Sequence, residues 1–456
     1  MTFKLLKYNR LLFLKPALLP ILFVLLFFSY FSTSKSESEL ITEQELAKGA
    51  IYKNYYVTTH GKTHSVHVVE LDLKAKNVQL KVLKAKDLTD ELMKIHDIAN
   101  WHDSLNIGTV IAAINANFWR AYTNYPIGPT VIDGEPVTMS SYKQWSSGFF
   151  DTDGRLYIDA FRLNAELILP NGQSLPINSA NHRRDSTENV LYNRFAGHFV
   201  PRIHTRDMKS AVSESLEDSL FNDSTEIEYQ MEELMATIAE EKRLSNAEHS
   251  YTKIALKYLD KPVINKEIEC QVVSIGSGSV EIPENGCVIS LSPDSKFFIG
   301  NRPGIFKLRI LTNQYQNILF KNAVCGTPRL VRQGIAKHEA YEEGSKGRRF
   351  IHKMLPRTAI GTNKDKSKVF LAAIEIGSRS ESTSGATLEQ LADIMKQIGC
   401  YEAMNLDGGG STTMIVDGYN VIYKSNPFHS RRIAVAIAIV ETNFENNLLK
   451  DWFKDK

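Results

Sequence analysis

The sequence predicts an α+β fold: a mixed β-sheet core with packed helices, a helical insertion and an N-terminal hydrophobic helix. Three observations predict it. Segments such as Ser65-Val-His-Val-Val-Glu-Leu-Asp-Leu73 and Val78-Gln-Leu-Lys-Val-Leu83 alternate with the period of half-buried strands. Thr109–Ile114, Val369–Ile374 and Ile433–Val440 are short continuous apolar runs, the pattern of strands buried on both faces. Other stretches repeat their apolar residues at helical spacing.

A chain of 456 residues is long enough for one large core with insertions, or for two domains. Its 43% hydrophobic and 23% charged content is ordinary for a globular protein. A net charge of +2 gives no electrostatic case for a nucleic-acid partner. The chain has no Walker-type glycine loop and no Cys or His pairs at zinc spacing, so no cofactor and no metal are expected.

Lys4, Lys7, Arg10 and Lys15 precede an apolar run from Pro16 to Phe31. Positive charge on the leading side keeps that end cytoplasmic and sends the following chain across the membrane. Residues 1–34 are therefore expected to be a signal anchor or a signal peptide, making the membrane a partner through this helix. The polar stretch 35–50 reads as a linker and 51–445 as the main domain. Residues 446–456 form a tail. The expected location is membrane-anchored facing outside the cytoplasm, or secreted. Cys270, Cys287, Cys325 and Cys400 permit disulfides there, with Cys270 and Cys287 on a strand-loop-strand the easiest pair to join; four buried thiols are the other reading.

Within the domain, a helix is expected over 89–103, with Leu92, Ile95, Ile98 and Ala99 on its apolar side. Asp133-Gly134 and Asp153-Gly154 predict tight hairpin turns. The acidic stretch 208–258 reads as a helical insertion into a strand-rich domain. Thr387 to Ile398 reads as an amphipathic helix, with Thr387 and Gln390 as a capping box and Gly399 as its stop.

The strongest local signal is Asn405-Leu-Asp-Gly-Gly-Gly-Ser-Thr-Thr-Met414. Three glycines in a row weaken any helix or strand, so a loop that keeps them uses their freedom or their close approach. The N–H groups of Gly408, Gly409 and Gly410 are suited to cradling anionic oxygens. Asp407 adds a carboxylate, and Ser411 and Thr412 add hydroxyls. Elsewhere, Asn115 and Asn117 end a buried strand, Arg357-Thr358 opens another, and Arg431 precedes the last. Arginine forks suit bidentate phosphate binding.

These motifs resemble the phosphodiester glycosidase family. Asn405–Met414 is similar to the family's Asn-Leu-Asp-Gly-Gly-Gly-Ser-x-Thr-Met. Arg357-Thr-Ala-Ile-Gly361 resembles its Arg-Thr-Ala-x-Gly, Ile114–Trp119 its Ile-Asn-x-x-Phe-Phe, and Arg431–Ala434 its Arg-x-Val-Ala. The resemblance covers roughly Tyr52 to Glu441. It departs where the family has Val-Asp-Gly-Arg, for this chain reads Ile374-Glu-Ile-Gly-Ser-Arg379, and where Ser430 replaces a glutamate.

The resemblance implies a hydrolase that breaks the glycosidic bond to phosphate in a sugar-1-phosphodiester, with a phosphorylated glycan as partner. It implies Asp407 as nucleophile, base or sugar anchor and Glu375 as a second carboxylate. Arg357 and Arg431, with the Gly409 and Gly410 amides, would hold phosphate; Asn115 and Asn117 would orient the sugar, and Thr358 and Asn405 would also bind substrate. The alternative is a polysaccharide-binding protein of the cell envelope that keeps the fold without the activity.

Overall fold

A computed structural model describes residues 37–120, 123–201, 235–236, 239–240, 242–295, 304–375, 385–422 and 430–442. The expected N-terminal helix, most of the acidic insertion and the tail lie outside these residues. Among the described residues no helix is long and apolar enough to cross a membrane.

The described chain is mostly β, which corrects the α+β expectation. Helices are confined to short pieces such as Ile95–Ser104, Arg348–His352 and Leu388–Gln397. The expectation erred because many strands are too short to show a period: Thr130–Ile132 and Glu135–Thr138 contribute only three and four residues. Their turn was legible, with Asp133 and Gly134 both in the left-handed region at φ 51° and 84°.

Four sheets make the body. Sheet I has eight strands in the order Glu37–Ala47, Ala50–Thr59, Lys62–Asp72, Lys368–Ile374, Arg357–Thr362, Glu402–Asn405, Arg329–Arg332 and Ile335–Ala336. Its first strand occupies the stretch that reads as a linker. It is an edge strand, nearly all exposed and rich in glutamate, so its composition resembles solvated chain. Sheet II has five strands: Tyr419–Asn420, Met414–Val416, Thr109–Asn115, Val435–Glu441 and Val78–Lys84.

Sheets I and II pack face to face. Val69, Leu71, Ile360 and Leu371 from the first meet Leu80, Val82, Ile114, Ile437 and Ile439 from the second in one apolar cluster. The helix Leu388–Gln397 covers the other face of sheet I through Leu388, Leu391, Ile394 and Met395. It begins with the expected Thr387–Gln390 capping box and stops at Gly399, φ 105°. The helix Ile95–Ser104 covers the outer face of sheet II through Ile95, Ile98 and Ala99. It starts six residues later than expected because Met93–Lys94 pairs as a strand with Arg432–Ile433.

Sheets III and IV form the rest. Sheet III is Leu156–Asp159, Ser147–Asp151, Phe320–Cys325, Thr130–Ile132 and Glu135–Thr138. Sheet IV has eight strands, with Glu267–Gly276, Lys253–Tyr258 and Gly286–Ser290 at its centre. Lys253–Tyr258 thus lies inside the stretch expected to be a helical insertion. Leu244, Glu248 and Tyr251 just before it are also buried. The helical reading ends by 248, beyond which the chain is integral to a core. All four cysteines are buried free thiols. Cys270 and Cys287 are kept apart because Lys253–Tyr258 runs between their strands, with Tyr258 opposite Cys270 and Leu256 opposite Cys287. Two strand spacings, roughly 9.5 Å, exceed the reach of a disulfide.

One side chain joins sheets I and II at their functional end. Asn115 closes the strand Thr109–Asn115 and is 1% exposed. Its Oδ1 accepts from Thr358 Oγ1 at 2.8 Å and from the Thr413 amide at 3.0 Å. Its Nδ2 donates to the Asp407 carbonyl at 2.6 Å. It is therefore a structural joint, which corrects its expected role in orienting sugar hydroxyls.

Two outcomes follow. Deleting 208–258 removes a central strand of sheet IV, so the product is expected to be insoluble or to lose its cooperative melt; a soluble product with the parent melting temperature would contradict this placement. Asn115→Ala strands a buried carbonyl, amide and hydroxyl together. It is expected to cost about 3 kcal/mol or more in denaturant unfolding, and a cost under about 1 kcal/mol would mean the joint is dispensable.

Candidate active site

The backbone brings the sequence motifs to one edge. Arg357, at the start of its strand, pairs with Ile374, at the end of the neighbouring one. On the other side Ala359 pairs with Asn405, and the Leu406 amide donates to the Thr358 carbonyl at 2.8 Å. Glu375 and Asp407 therefore leave the same edge of sheet I on either side of Arg357, two strand spacings or roughly 9.5 Å apart. Sheet II delivers Ala116 to this edge, where its carbonyl accepts from the Asp407 amide at 2.9 Å.

The glycine loop is a tight turn with few idle donors. The Gly408 amide donates to Asp407 Oδ1 and the Gly409 amide to the Pro356 carbonyl, each at 2.9 Å. The amides of Ser411, Thr412 and Thr413 bond to Gly408, Gly409 and Asn115. Among the described residues only the Gly410 N–H, on the exposed side, forms no such bond. This corrects the expectation of a cradle built from several amides. Gly408 is required because a Cβ would lie 3.0 Å from the Pro356 carbonyl oxygen, and Gly409 because its φ is +60°. A Cβ on Gly410 would meet only Arg431 Nη1, at 3.9 Å.

Charge gathers around this turn. Asp407 is half-buried, and loss of solvent pushes its carboxyl up to about 6. The Ser411 hydroxyl, the Arg431 guanidinium and the Gly408 amide pull the other way without cancelling that effect. Arg431 packs on the Trp119 ring, 5.5 Å from its centroid.

Arg357 is 1% exposed. Its Nε donates to the Ala386 carbonyl at 2.8 Å, and its Nη2 to the carbonyls of Phe350 at 2.7 Å and Lys353 at 3.2 Å. It lies against the Phe350 ring, 5.5 Å from the centroid. Among the described residues no carboxylate pairs with it, and burial alone pushes it down to about 10. It stays cationic at neutral pH. A Cβ on Gly408 would lie 3.9 Å from its Cδ, so the stem of this side chain borders the glycine turn.

Other expected residues divide into joints and open positions. Thr358 is committed to Asn115. Asn117 donates through Nδ2 to Thr130 Oγ1 at 2.9 Å, and Asn405 through Nδ2 to the carbonyls of Thr327 at 2.6 Å and Leu406 at 2.7 Å. Among the described residues, the buried atoms Asn117 Oδ1, Asn405 Oδ1 and Thr412 Oγ1 have no hydrogen-bond partner. Glu375 is 6% exposed and faces His67, with Nε2 to Oε1 at 3.5 Å. Sequence reasoning missed His67 and Tyr52 as site residues; the available signal was a histidine on the apolar-facing register of a strand. It also missed Trp119, whose consecutive Phe118 turns to the opposite side against Phe350 and Trp145.

A cavity of about 70 Å³ lies elsewhere, lined by Tyr125, His182, Arg183, Tyr192 and Glu248 among others. No residue of the glycine turn lines it, and its volume suits a few water molecules rather than a glycan.

Comparisons with known proteins agree with the fold. A hypothetical protein from Synechocystis superposes with a TM-score of 0.59 at 18% identity, over 88% of this chain and 64% of its own. This chain thus spans a little under two thirds of that relative. A putative exported protein from Burkholderia pseudomallei superposes with a TM-score of 0.55 at 13% identity, over 89% and 97% of the two chains. The zebrafish N-acetylglucosamine-1-phosphodiester alpha-N-acetylglucosaminidase catalytic domain gives 0.41 at 14% identity, over 90% of each. No curated protein matches the sequence. The family profile described as phosphodiester glycosidase matches residues 266–440, a span holding Arg357, Glu375, Asp407 and Arg431. Over that segment, under half of the chain, the sequence is similar to the phosphodiester glycosidase family.

Proposed function

We propose that this chain is an exported hydrolase that cleaves the bond between an anomeric carbon and phosphate in a sugar-1-phosphodiester. The observation that carries the reading is Arg357: a buried guanidinium with no carboxylate partner among the described residues, on a side chain whose stem borders the glycine turn. A buried charge is stable only when something compensates it. A phosphodiester supplies one negative charge at this place, and Arg431 and the Gly410 amide stand on the other side of the turn to share it. Asn117, Asn405 and Thr412 have unmet polar atoms near the same edge, and sugar hydroxyls are their natural complement. The basic flank of the N-terminal apolar run supports export of everything after about Ser34.

The carboxyl groups take different parts. A bound phosphodiester anion beside Asp407 favours its protonated form further. Asp407 then donates a hydrogen bond or a proton to the departing phosphate oxygen. Glu375, on the far side of Arg357, is the carboxylate that faces the positive charge growing at the anomeric carbon or activates water there. Arg357 and Arg431 stabilise charge on the leaving phosphate monoester.

The test is a panel of sugar-1-phosphodiesters with purified protein. Asp407→Asn keeps size and polarity but has no acidic proton; turnover is expected to fall by about two orders of magnitude or more. Wild-type kcat/KM is expected to decline as pH rises through about 6, where the free enzyme's Asp407 loses its proton. A rate that instead rises through that pH makes Asp407 a base. Saturable glycan binding without turnover, unchanged in Asp407→Asn, identifies a binding protein.

A further inference from the structure

Glu375 has buried partners that the reaction as stated does not use. Tyr52, on the strand Ala50–Thr59, places its Oη 2.7 Å from His67 Nδ1 on the strand Lys62–Asp72. Their rings lie nearly parallel, with 6.1 Å between centroids. On the other side His67 Nε2 is 3.5 Å from Glu375 Oε1. The register explains the line-up: Ala373 pairs with His67 and Ile374 with Val66, so Glu375 emerges beside Ser65. Exposures are 8% for Tyr52, 1% for His67 and 6% for Glu375. Three polar groups thus run in a row through the apolar interface of sheets I and II. The row ends at Glu375, one residue past Ile374, the register partner of Arg357 on the neighbouring strand.

The direction of the row follows from the phenol. Burial, with the Glu375 charge adding to it, pushes Tyr52 up to about 12, so it keeps its proton at any working pH. It is a donor to His67 Nδ1 in the neutral tautomer whose hydrogen sits on Nε2. A neutral imidazole whose Nδ1 accepts carries its hydrogen on Nε2, the nitrogen facing Glu375. An N–H aimed at a carboxylate favours the ionised form and fixes its orientation. The other polar groups at His67 are uncharged: Ser65 on its own strand, with Oγ 3.5 Å from Nε2, and Asn54 opposite it in register.

We infer that Tyr52 and His67 form a positioning relay that orients Glu375 and holds it as the carboxylate partner of Asp407. The inference rests on the reading of the site proposed above. It goes further in naming two residues that touch neither sugar nor phosphate and yet set the rate. Val69, Leu71 and Leu371, on the same face of sheet I, are apolar side chains of the cluster between the sheets.

The experiment uses the full chain and the sugar-1-phosphodiester that the wild type turns over fastest. Tyr52→Phe, His67→Gln and Glu375→Gln are compared singly, and each of the first two is combined with the third. Melting curves accompany every variant. Tyr52→Phe removes one oxygen and keeps the ring, so it provides the measurement if His67→Gln folds poorly. The single relay variants are expected to lower kcat about 10- to 100-fold, with KM within about threefold of wild type. In the Glu375→Gln background the same changes should have no further effect on kcat, because the group they act through is gone. Wild-type kcat in both relay variants, or losses that multiply with Glu375→Gln, would overturn the relay and leave the site reading standing. No turnover of any diester by the wild type would overturn the site reading and the relay with it.

Discussion

The Asn115 side chain makes its three hydrogen bonds at a point closed to water, and each reaches a different strand end. Thr358 belongs to the strand that begins with Arg357. Thr413 precedes the strand Met414–Val416, and the Asp407 carbonyl opens the glycine turn. One amide thereby sets the separation between the buried arginine, the carboxyl group and the strand Met414–Val416 of sheet II. The apolar cluster between sheets I and II supplies stability but little direction, since area burial is indifferent to small slides. Hydrogen bonds with fixed donor and acceptor positions remove that freedom. The glycine turn then follows from covalent geometry: with Asp407 pinned at its carbonyl and amide, the chain clears Pro356 only through Gly408 and reverses only through Gly409.

Two groups at this edge are held at a cost to the fold. Arg357 lies in an apolar setting with carbonyl acceptors but no counter-charge among the described residues. Asp407 is raised from its ordinary 3.8 to about 6. The sign of the second effect is definite. Between about pH 4 and 6 the unfolded chain has released this proton while the folded chain keeps it, so stability from this group is present at low pH and lost as pH rises through about 6. At neutral pH both groups weaken the empty fold, and the arginine favours an anionic ligand while Asp407 accommodates one by taking up a proton. Sites that destabilise their own scaffold in this way are a recurrent feature of catalysis.

How much of this was legible in the sequence differs by feature. The capping box at Thr387 and Gln390, the stop at Gly399 and the turn at Asp133-Gly134 were readable because each depends on neighbours in the chain. Long apolar strands such as Lys368–Ile374 and Val435–Glu441 were readable by their runs. The β-rich class was misjudged because strands of two to four residues leave no period. The loop Asn405–Met414 stood out in the sequence as the centre of the candidate site, but the use of its amides did not. That Gly408 and Gly409 bond internally depends on Pro356 and the Asp407 side chain, and no local pattern reports such a pairing. Likewise Asn115 reads as a polar group offered at a strand end, and only the arrival of Thr358 and Thr413 from elsewhere makes it a joint. Tyr52 and His67 were invisible as a pair because fifteen residues and a strand turn separate them.

Two bonds of a sugar-1-phosphodiester are open to hydrolysis at this site, the one at the anomeric carbon and the one at phosphorus. An arginine pair and one amide around phosphate, with carboxyl groups to either side of Arg357, favour departure of an intact phosphate monoester from the anomeric carbon. The alternative, attack at phosphorus, uses the same binding groups but leaves the sugar oxygen on the sugar. Hydrolysis of a sugar-1-phosphodiester in water enriched in heavy oxygen, followed by mass spectrometry of both products, separates the two directly. The account predicts the label on the anomeric hydroxyl of the free sugar and none on the phosphate. Label on the phosphate monoester, with none on the sugar, would contradict it.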